Sequence, residues 1–410
     1  MARLRKQSSS SGHPDALGPV TRGPKIIAPI PPLPTTPTAP ETDSSRATSA
    51  TFSFSLRPQE VARHLDRFVI GQDEAKKVLS VALCDHFQHV RLTREGKPAR
   101  FYQKQNVLLL GPTGVGKTHL VRSAADLIGV PFVKADATRF SETGYVGADV
   151  DDLVRDLIRR AGGDIRQAEH GIIYLDEADK LATREAGAGR DVSGRGVQTN
   201  LLKLMEDADV PIISPNDVTG QLQGAMATMR GGAPASDTIN TRHILFIVSG
   251  AFAGMEQVVR RRLTAAGDTS ATVASLTGAQ LLSAAGTADF VAFGFEPEFI
   301  GRLPVRVACH GLNTEDLYNV LLKSESSLVH QYERAFSAYG IRVKFKASGL
   351  RRLAQIATSE NIGARGLMTA CERVFRDFKF QLPSAAVKEF TVTRQLVDDP
   401  AGELRALLER

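Results

Sequence analysis

The residues of this chain best suited to chemistry form one run, Gly111-Pro112-Thr113-Gly114-Val115-Gly116-Lys117-Thr118. Its glycines let main-chain N–H groups turn inward around phosphate oxygens, and a helix starting behind them adds partial positive charge. Lys117 is spaced to reach the β- and γ-phosphates of a nucleoside triphosphate, and Thr118 to offer its hydroxyl to Mg²⁺. His119, next in line, is counted among the nucleotide-binding residues. Further on, Ile172-Ile173-Tyr174-Leu175 ends in Asp176-Glu177. A carboxylate closing a buried strand sits where it can hold the metal, and the one after it can orient and polarise an attacking water. By itself the pair also reads as a cap for the next helix. Together with the glycine-rich run it predicts hydrolysis of a nucleoside triphosphate with Mg²⁺ as cofactor.

Particular elements must hold these groups. Asn106 to Leu110 reads as a buried strand leading into the glycine-rich run, and a helix is predicted from Lys117 to Ile128. Residues 132–135, 171–175 and 244–248 read as further short strands, with helical stretches such as 149–160 between them. Near-continuous apolar strands alternating with helices predict an α/β fold with a parallel sheet covered on both faces. From about His310 the pattern turns helix-rich, and Asn313 with Asp316 three residues on predicts a cap for a helix through Leu317, Val320 and Leu321. The expected organisation is a Pro/Ser/Thr-rich tail over 1–54, a large ATPase domain over 55–308, a smaller, mostly helical domain over 309–396 and a C-terminal tail over 397–410.

Composition narrows the class. A chain of 410 residues with 42% hydrophobic and 23% charged residues can bury a large core, which excludes a wholly disordered or collagen-like chain. The net charge of +6 is a mild excess rather than a nucleic-acid footprint. Cys84, Cys309 and Cys371 are scattered, so no disulfide framework and no zinc are expected, and a reducing compartment, the cytoplasm, is the default. The start, MARLRKQSSSSGHPD, has no apolar core for a secretory signal, while its Arg and Ser content leaves an organelle matrix open. The longest apolar stretch, Ile244 to Met255, is too short to span a membrane.

A phosphate loop followed by an Asp-Glu strand of this kind resembles the AAA+ ATPases. Flanking segments narrow the likeness to the ClpX family of protein unfoldases: residues 64–72, 137–147 and 190–194, Gly250-Ala251-Phe252-Ala253-Gly254, and Pro297-Glu298-Phe299-Ile300-Gly301-Arg302-Leu303-Pro304. It extends over residues 56–395, and HslU is less similar because no large inserted domain separates the two motifs. The resemblance implies a P-loop AAA+ module working as a ring hexamer, with unfolded or tagged proteins as substrates and a ClpP-type peptidase as a partner. It implies that Val69 and Ile70 lie against the adenine, although alone they read as core residues. It makes Arg302 the finger that completes a neighbouring subunit's site and Arg365 the sensor that couples nucleotide state to rotation of the small domain. Without it, both read as surface ion-pair arginines. Tyr145 and Val146, between glycines, match the pore loop that grips substrate, and Arg190 and Val192 a second pore loop. Arg195 stands where the family usually has an acidic residue.

Three departures accompany these matches. A Pro/Ser/Thr-rich tail replaces the family's four-cysteine zinc domain. The stretch from Arg260 to Ser270 lacks the Ile/Leu-Gly-Phe tripeptide that docks in the peptidase, and Phe293-Gly294-Phe295 is expected to pack in the body of the domain instead. Thr219 to Asn240 is Gly-, Met- and Ser-rich where the family has a basic loop at the pore entrance. Two alternatives to the peptidase-linked unfoldase therefore stand: a remodeller of protein complexes with no peptidase, and a nucleic-acid translocase on the same core. Of the other candidates, His86 and His89 read as a solvated helix face rather than metal ligands, and Arg260 to Arg262 as a solvated loop.

Overall fold

The computed structural model describes residues 54–99, 101–141, 148–182, 193–213, 238–267 and 270–409. Among these, strands β1 (Val107–Leu110), β2 (Phe132–Asp136), β3 (Ile172–Asp176), β6 (Leu245–Gly250) and β7 (Val305–Ala308) form one parallel sheet in the order β2-β3-β6-β1-β7. Two shorter strands, β4 (Asp209–Pro211) and β5 (Thr238–Asn240), pair antiparallel to one side. β5 therefore claims the last three residues of the stretch read from sequence as a loop.

The sheet is apolar on both faces because each strand alternates its side chains between two cores. Leu108, Leu110, Ile173, Leu175, Phe246 and Val248 enter one cluster, and Val107, Leu109, Ile172, Tyr174, Leu245 and Ile247 the other. Each fully buried aliphatic side chain contributes about 1.5–3 kcal/mol relative to exposure. Helices Pro58–Asp66, Asp73–Arg94 and Lys117–Ile128 cover the second face, while Asp152–Arg160, Ser193–Met205 and Met255–Ala265 cover the first. The helix expected from Lys117 to Ile128 is present with those bounds. Phe293 and Phe295 stack in the body beside Phe252, and Phe295 is buried.

A third apolar cluster gathers residues from Leu317 to Leu404 around helices Thr314–Lys323, Leu328–Ser337, Ala347–Ser359 and Arg365–Gln381. Asn313 caps the first of them: its side chain accepts from the Asp316 N–H at 2.9 Å, and Asp316 accepts from the Asn313 N–H at 3.0 Å. A parallel pair, β8 (Arg342–Phe345) and β9 (Glu389–Val392), closes this unit. The last residues, set apart from sequence as a tail, form helices Arg394–Asp398 and Pro400–Leu408, and Leu404 is buried in the third cluster. Asp399 starts the final helix by accepting from the Gly402 N–H, with Pro400 at its first position.

Candidate active site

The glycine-rich run follows β1 and takes a path that side chains would obstruct. Gly111 has φ 134° and Gly114 φ 76°. A Cβ on Gly111 would collide with the carbonyl oxygen of Cys309, and one on Gly114 with that of Ile362. Lys117 opens the following helix with its ammonium turned back across the loop, donating to the carbonyls of Gly111 (2.5 Å) and Pro112 (2.8 Å). Burial lowers its pKa, so a ligand that brings negative charge to this loop relieves an electrostatic penalty already present.

A hydrogen-bonded network ties the loop to the C-terminal ends of β3 and β6 and to the middle of β2. Thr118 donates its hydroxyl to Asp176 Oδ2 at 3.2 Å, and Ser249 donates to Asp176 Oδ1 at 2.7 Å. Ser249 also bonds the buried Tyr174 hydroxyl at 2.7 Å. Lys134 Nζ lies 3.0 Å from Asp176 Oδ2 and 3.4 Å from Thr118 Oγ1. Burial alone would raise the Asp176 pKa, but the hydrogen bonds from Ser249 and Lys134, the Lys134 charge and the Glu177 N–H outweigh it, so the carboxyl is held below its ordinary value. Thr118 Oγ1 and Asp176 Oδ2 are hard oxygen donors at the mouth of the glycine loop, a set that suits Mg²⁺.

Glu177 follows directly, exposed and in left-handed backbone at φ 57°. That conformation costs a non-glycine residue about 1–2 kcal/mol. Asp179 is buried beneath and accepts from the Ala251 N–H at 3.1 Å, joining the Asp-Glu turn to the end of β6.

Gly114, Lys117, Thr118, Asp176, Glu177 and Asp179 line one side of a cavity of roughly 700 Å³. Phe68, Val69, Ile70 and His119 line its apolar end, with Leu328 and Met368 from the third cluster's helices. His119 Nε2 reaches Ser326 Oγ at 3.0 Å and packs edge-on to Phe68; burial lowers its pKa. Arg365, first residue of its helix, faces the same cavity, and the Ala364 N–H donates to the Gly114 carbonyl at 2.8 Å. The glycine-rich run and the start of helix Arg365–Gln381 thus touch directly.

The structure does not bring every expected residue to this cavity. Arg302 closes helix Pro297–Gly301 and pairs with Glu206, each half exposed and neither lining the cavity. Tyr145, Val146, Arg190 and Val192 lie outside the described residues; Phe140 and Ala148, on either side of 142–147, pair with each other. Arg195 is ion-paired with Glu296 at 2.9 Å.

Two sequence expectations are corrected. His86 and His89 are buried, not solvated, because Tyr102 and His243 close over that face of their helix. His86 Nε2 donates to the His243 carbonyl (2.9 Å), leaving Nδ1 to accept from the Tyr102 hydroxyl (3.0 Å). Among the described residues no group of three or more metal-ligating side chains exists. Arg260 to Arg262 belong to helix Met255–Ala265 rather than a loop: Arg262 bonds Asp289 at 2.8 Å, and Arg260 bonds the Val273 carbonyl at 2.7 Å.

Sequence reasoning missed Lys134, Tyr174, Ser249 and Asp179. A polar residue interrupting an otherwise apolar strand was the available signal for Lys134 and Ser249. Among the described residues no helix is long and apolar enough to cross a membrane.

Residues 102–306 match the AAA domain family, Cdc48 subfamily. The chain is 39% identical over 351 residues to the ATP-dependent Clp protease ATP-binding subunit ClpX of Borrelia duttonii, spanning 83% of this chain and 78% of that protein. It is 36% identical over 357 residues to the protein of the same name from Treponema denticola, spanning 84% of this chain and 82% of that one. The subunit ClpX 3 of Methylococcus capsulatus is 37% identical over 361 residues, spanning 84% and 81%.

Proposed function

Because the chain belongs to the ClpX family of AAA+ ATPases, we propose that it is an ATP-driven protein unfoldase that threads polypeptide through a ring of its own copies and delivers it to a ClpP-type peptidase. The observation that carries this reading is the meeting of Lys117, Thr118, Asp176, Glu177 and Arg365 on a single cavity. Mg²⁺ held by Thr118 and Asp176 would supply charge neutralisation on the phosphate oxygens. Lys117 exchanges the carbonyls of Gly111 and Pro112 for phosphate oxygens, while the loop's N–H groups hold the rest of the chain of phosphates. Glu177 orients and polarises the attacking water. Val69 and Ile70 enclose the base, with His119 at its edge, and Arg365 carries the nucleotide state into the helical unit.

In this reading residues 55–308 are the large ATPase domain and 309–396 the small domain, assembled as a hexamer. Arg302 leaves Glu206 to reach the phosphates of a neighbouring copy. Tyr145 and Val146, with Arg190 and Val192, grip unfolded or tagged substrates in the pore, and the cytoplasm is the expected compartment. One observation favours a second reading, remodelling without a peptidase: the docking tripeptide is missing after Arg260, where helix Met255–Ala265 occupies the start of that stretch.

The test is ATP-dependent loss of fluorescence from a degron-tagged fluorescent protein in the presence of a trap that blocks refolding, with and without ClpP peptidase. Wild type should extinguish the signal, and Glu177→Gln and Tyr145→Ala should not. Peptide fragments appearing with the peptidase support delivery to it; unfolding without fragments supports the remodeller. Intact ATPase activity with no loss of fluorescence would overturn the unfoldase reading for such substrates.

A further inference from the structure

Lys134 is a charged residue in the middle of β2, between the buried Val133 and Ala135. The strand register sets it opposite Tyr174, and its side chain runs past that ring, with Nζ 5.9 Å from the ring centroid. Its ammonium ends 3.0 Å from Asp176 Oδ2 and 3.4 Å from Thr118 Oγ1, and those two oxygens are themselves 3.2 Å apart. The cation therefore closes a triangle on the very oxygens that suit Mg²⁺. An internal positive charge there neutralises Asp176 and removes the repulsion that an uncovered carboxylate would exert on incoming phosphates. The side chain is about one-third exposed and carries its charge on a flexible four-carbon stem, so it can also swing away when a metal ion competes for the same oxygens.

We propose that Lys134 is a tethered cation that competes with Mg²⁺ for Asp176 and Thr118, so that this chain binds nucleotide in the absence of metal and requires more Mg²⁺ to load its site. The inference rests on the Mg·ATP reading of the cavity. Lys134 acts through the metal ligands, which makes it a positioning residue. The partial exposure of the pair limits the expected effect to roughly three- to tenfold in affinity.

The test titrates fluorescent mant-ADP into the full chain in EDTA and across a Mg²⁺ series, for wild type, Lys134→Met, Lys134→Gln and Lys134→Arg. Both neutral variants should lose roughly three- to tenfold of metal-free affinity and reach half-maximal Mg²⁺ effect at a lower concentration by a similar factor, while Lys134→Arg keeps the wild-type pattern. Thermal melts identify any variant that fails to fold, and two neutral replacements of different polarity keep the comparison available. An unchanged ratio of metal-free to metal-loaded affinity in the folded neutral variants would overturn the proposal. Failure of wild type to bind mant-ADP under any condition would instead overturn the nucleotide reading of the cavity.

Discussion

Asp176 owes its charge at the end of a buried strand above all to Ser249 and Lys134, and the Ser249 contact is the shorter of those two at 2.7 Å. The serine hydroxyl is itself held by Tyr174, whose own pKa burial raises, so the phenol stays neutral and donates along the chain Tyr174 to Ser249 to Asp176. Removing the middle link leaves a buried phenol short of this partner and a carboxylate less well fixed toward Thr118. Hydrogen bonds to a charged group are worth about 1.5–3 kcal/mol, so Ser249→Ala should lower the ATPase kcat roughly tenfold or more with KM little changed. Ser249→Thr, which keeps the hydroxyl, should retain most of the activity. Steady-state ATPase kinetics check both, and full activity in the alanine variant would show that Lys134, Thr118 and the Glu177 N–H suffice to orient Asp176.

At the amino-terminal edge of the sheet, opposite the end that carries Lys117 and Asp176, helix Asp73–Arg94 and the segments leading into β1, β3 and β6 bury a cluster of bases. His86 is lowered to about 3, and His170 and His243 to about 4, by burial first and by neighbouring positive groups, Arg94 and Lys104 among them. Their folded pKa values lie below the unfolded value near 6.5, so the unfolded chain binds more protons between about pH 6.5 and 4. Stability is thus fully present above about pH 6.5 and is lost on acidification through that window. Counting only His86 and His170, which are the more deeply buried, a drop to pH 5.5 should cost about 3 kcal/mol. Lys104, lowered to about 7 by burial, adds a slope of the same sign above neutrality. Urea unfolding at pH 7.5 and 5.5 measures this, and His86→Gln should flatten the dependence; equal midpoints at the two pH values in wild type would refute it.

The same elements show what could be read from sequence. Strands β1, β3 and β6 were legible because burial on both faces leaves a continuous apolar run, and Lys117, Thr118, Asp176 and Glu177 because each lies in a short local motif at the end of one of those strands. β7 was not, since Arg306 interrupts it at the sheet edge, nor were β4 and β5, which are three residues each. The histidines misled for a related reason. Their burial is imposed by Tyr102 and His243, which no local period reveals. Ser249 and Lys134 acquire meaning only through the register of β3 with its two neighbours.

At the scale of the whole molecule, the placement of Arg302 decides how catalysis is organised. Its guanidinium pairs with Glu206 of the same chain, away from the cavity that holds Lys117. With both side chains half exposed, such a pair is worth about 1 kcal/mol or less, weak enough for a phosphate carried by another copy to displace it. If Arg302 serves a neighbour, Lys117→Ala and Arg302→Ala abolish different halves of one composite site. Each variant alone should be nearly inactive. Mixed in equal amounts and allowed to assemble at random, about a quarter of the interfaces pair an intact Lys117 with an intact Arg302 from the adjoining copy, and ATPase activity should recover toward that fraction. A mixture that stays as inactive as its components, with subunit exchange confirmed by energy transfer between labelled copies, would place Arg302 in a structural role on Glu206. Recovery would mean that no copy hydrolyses ATP alone, and that the ring itself completes the active site.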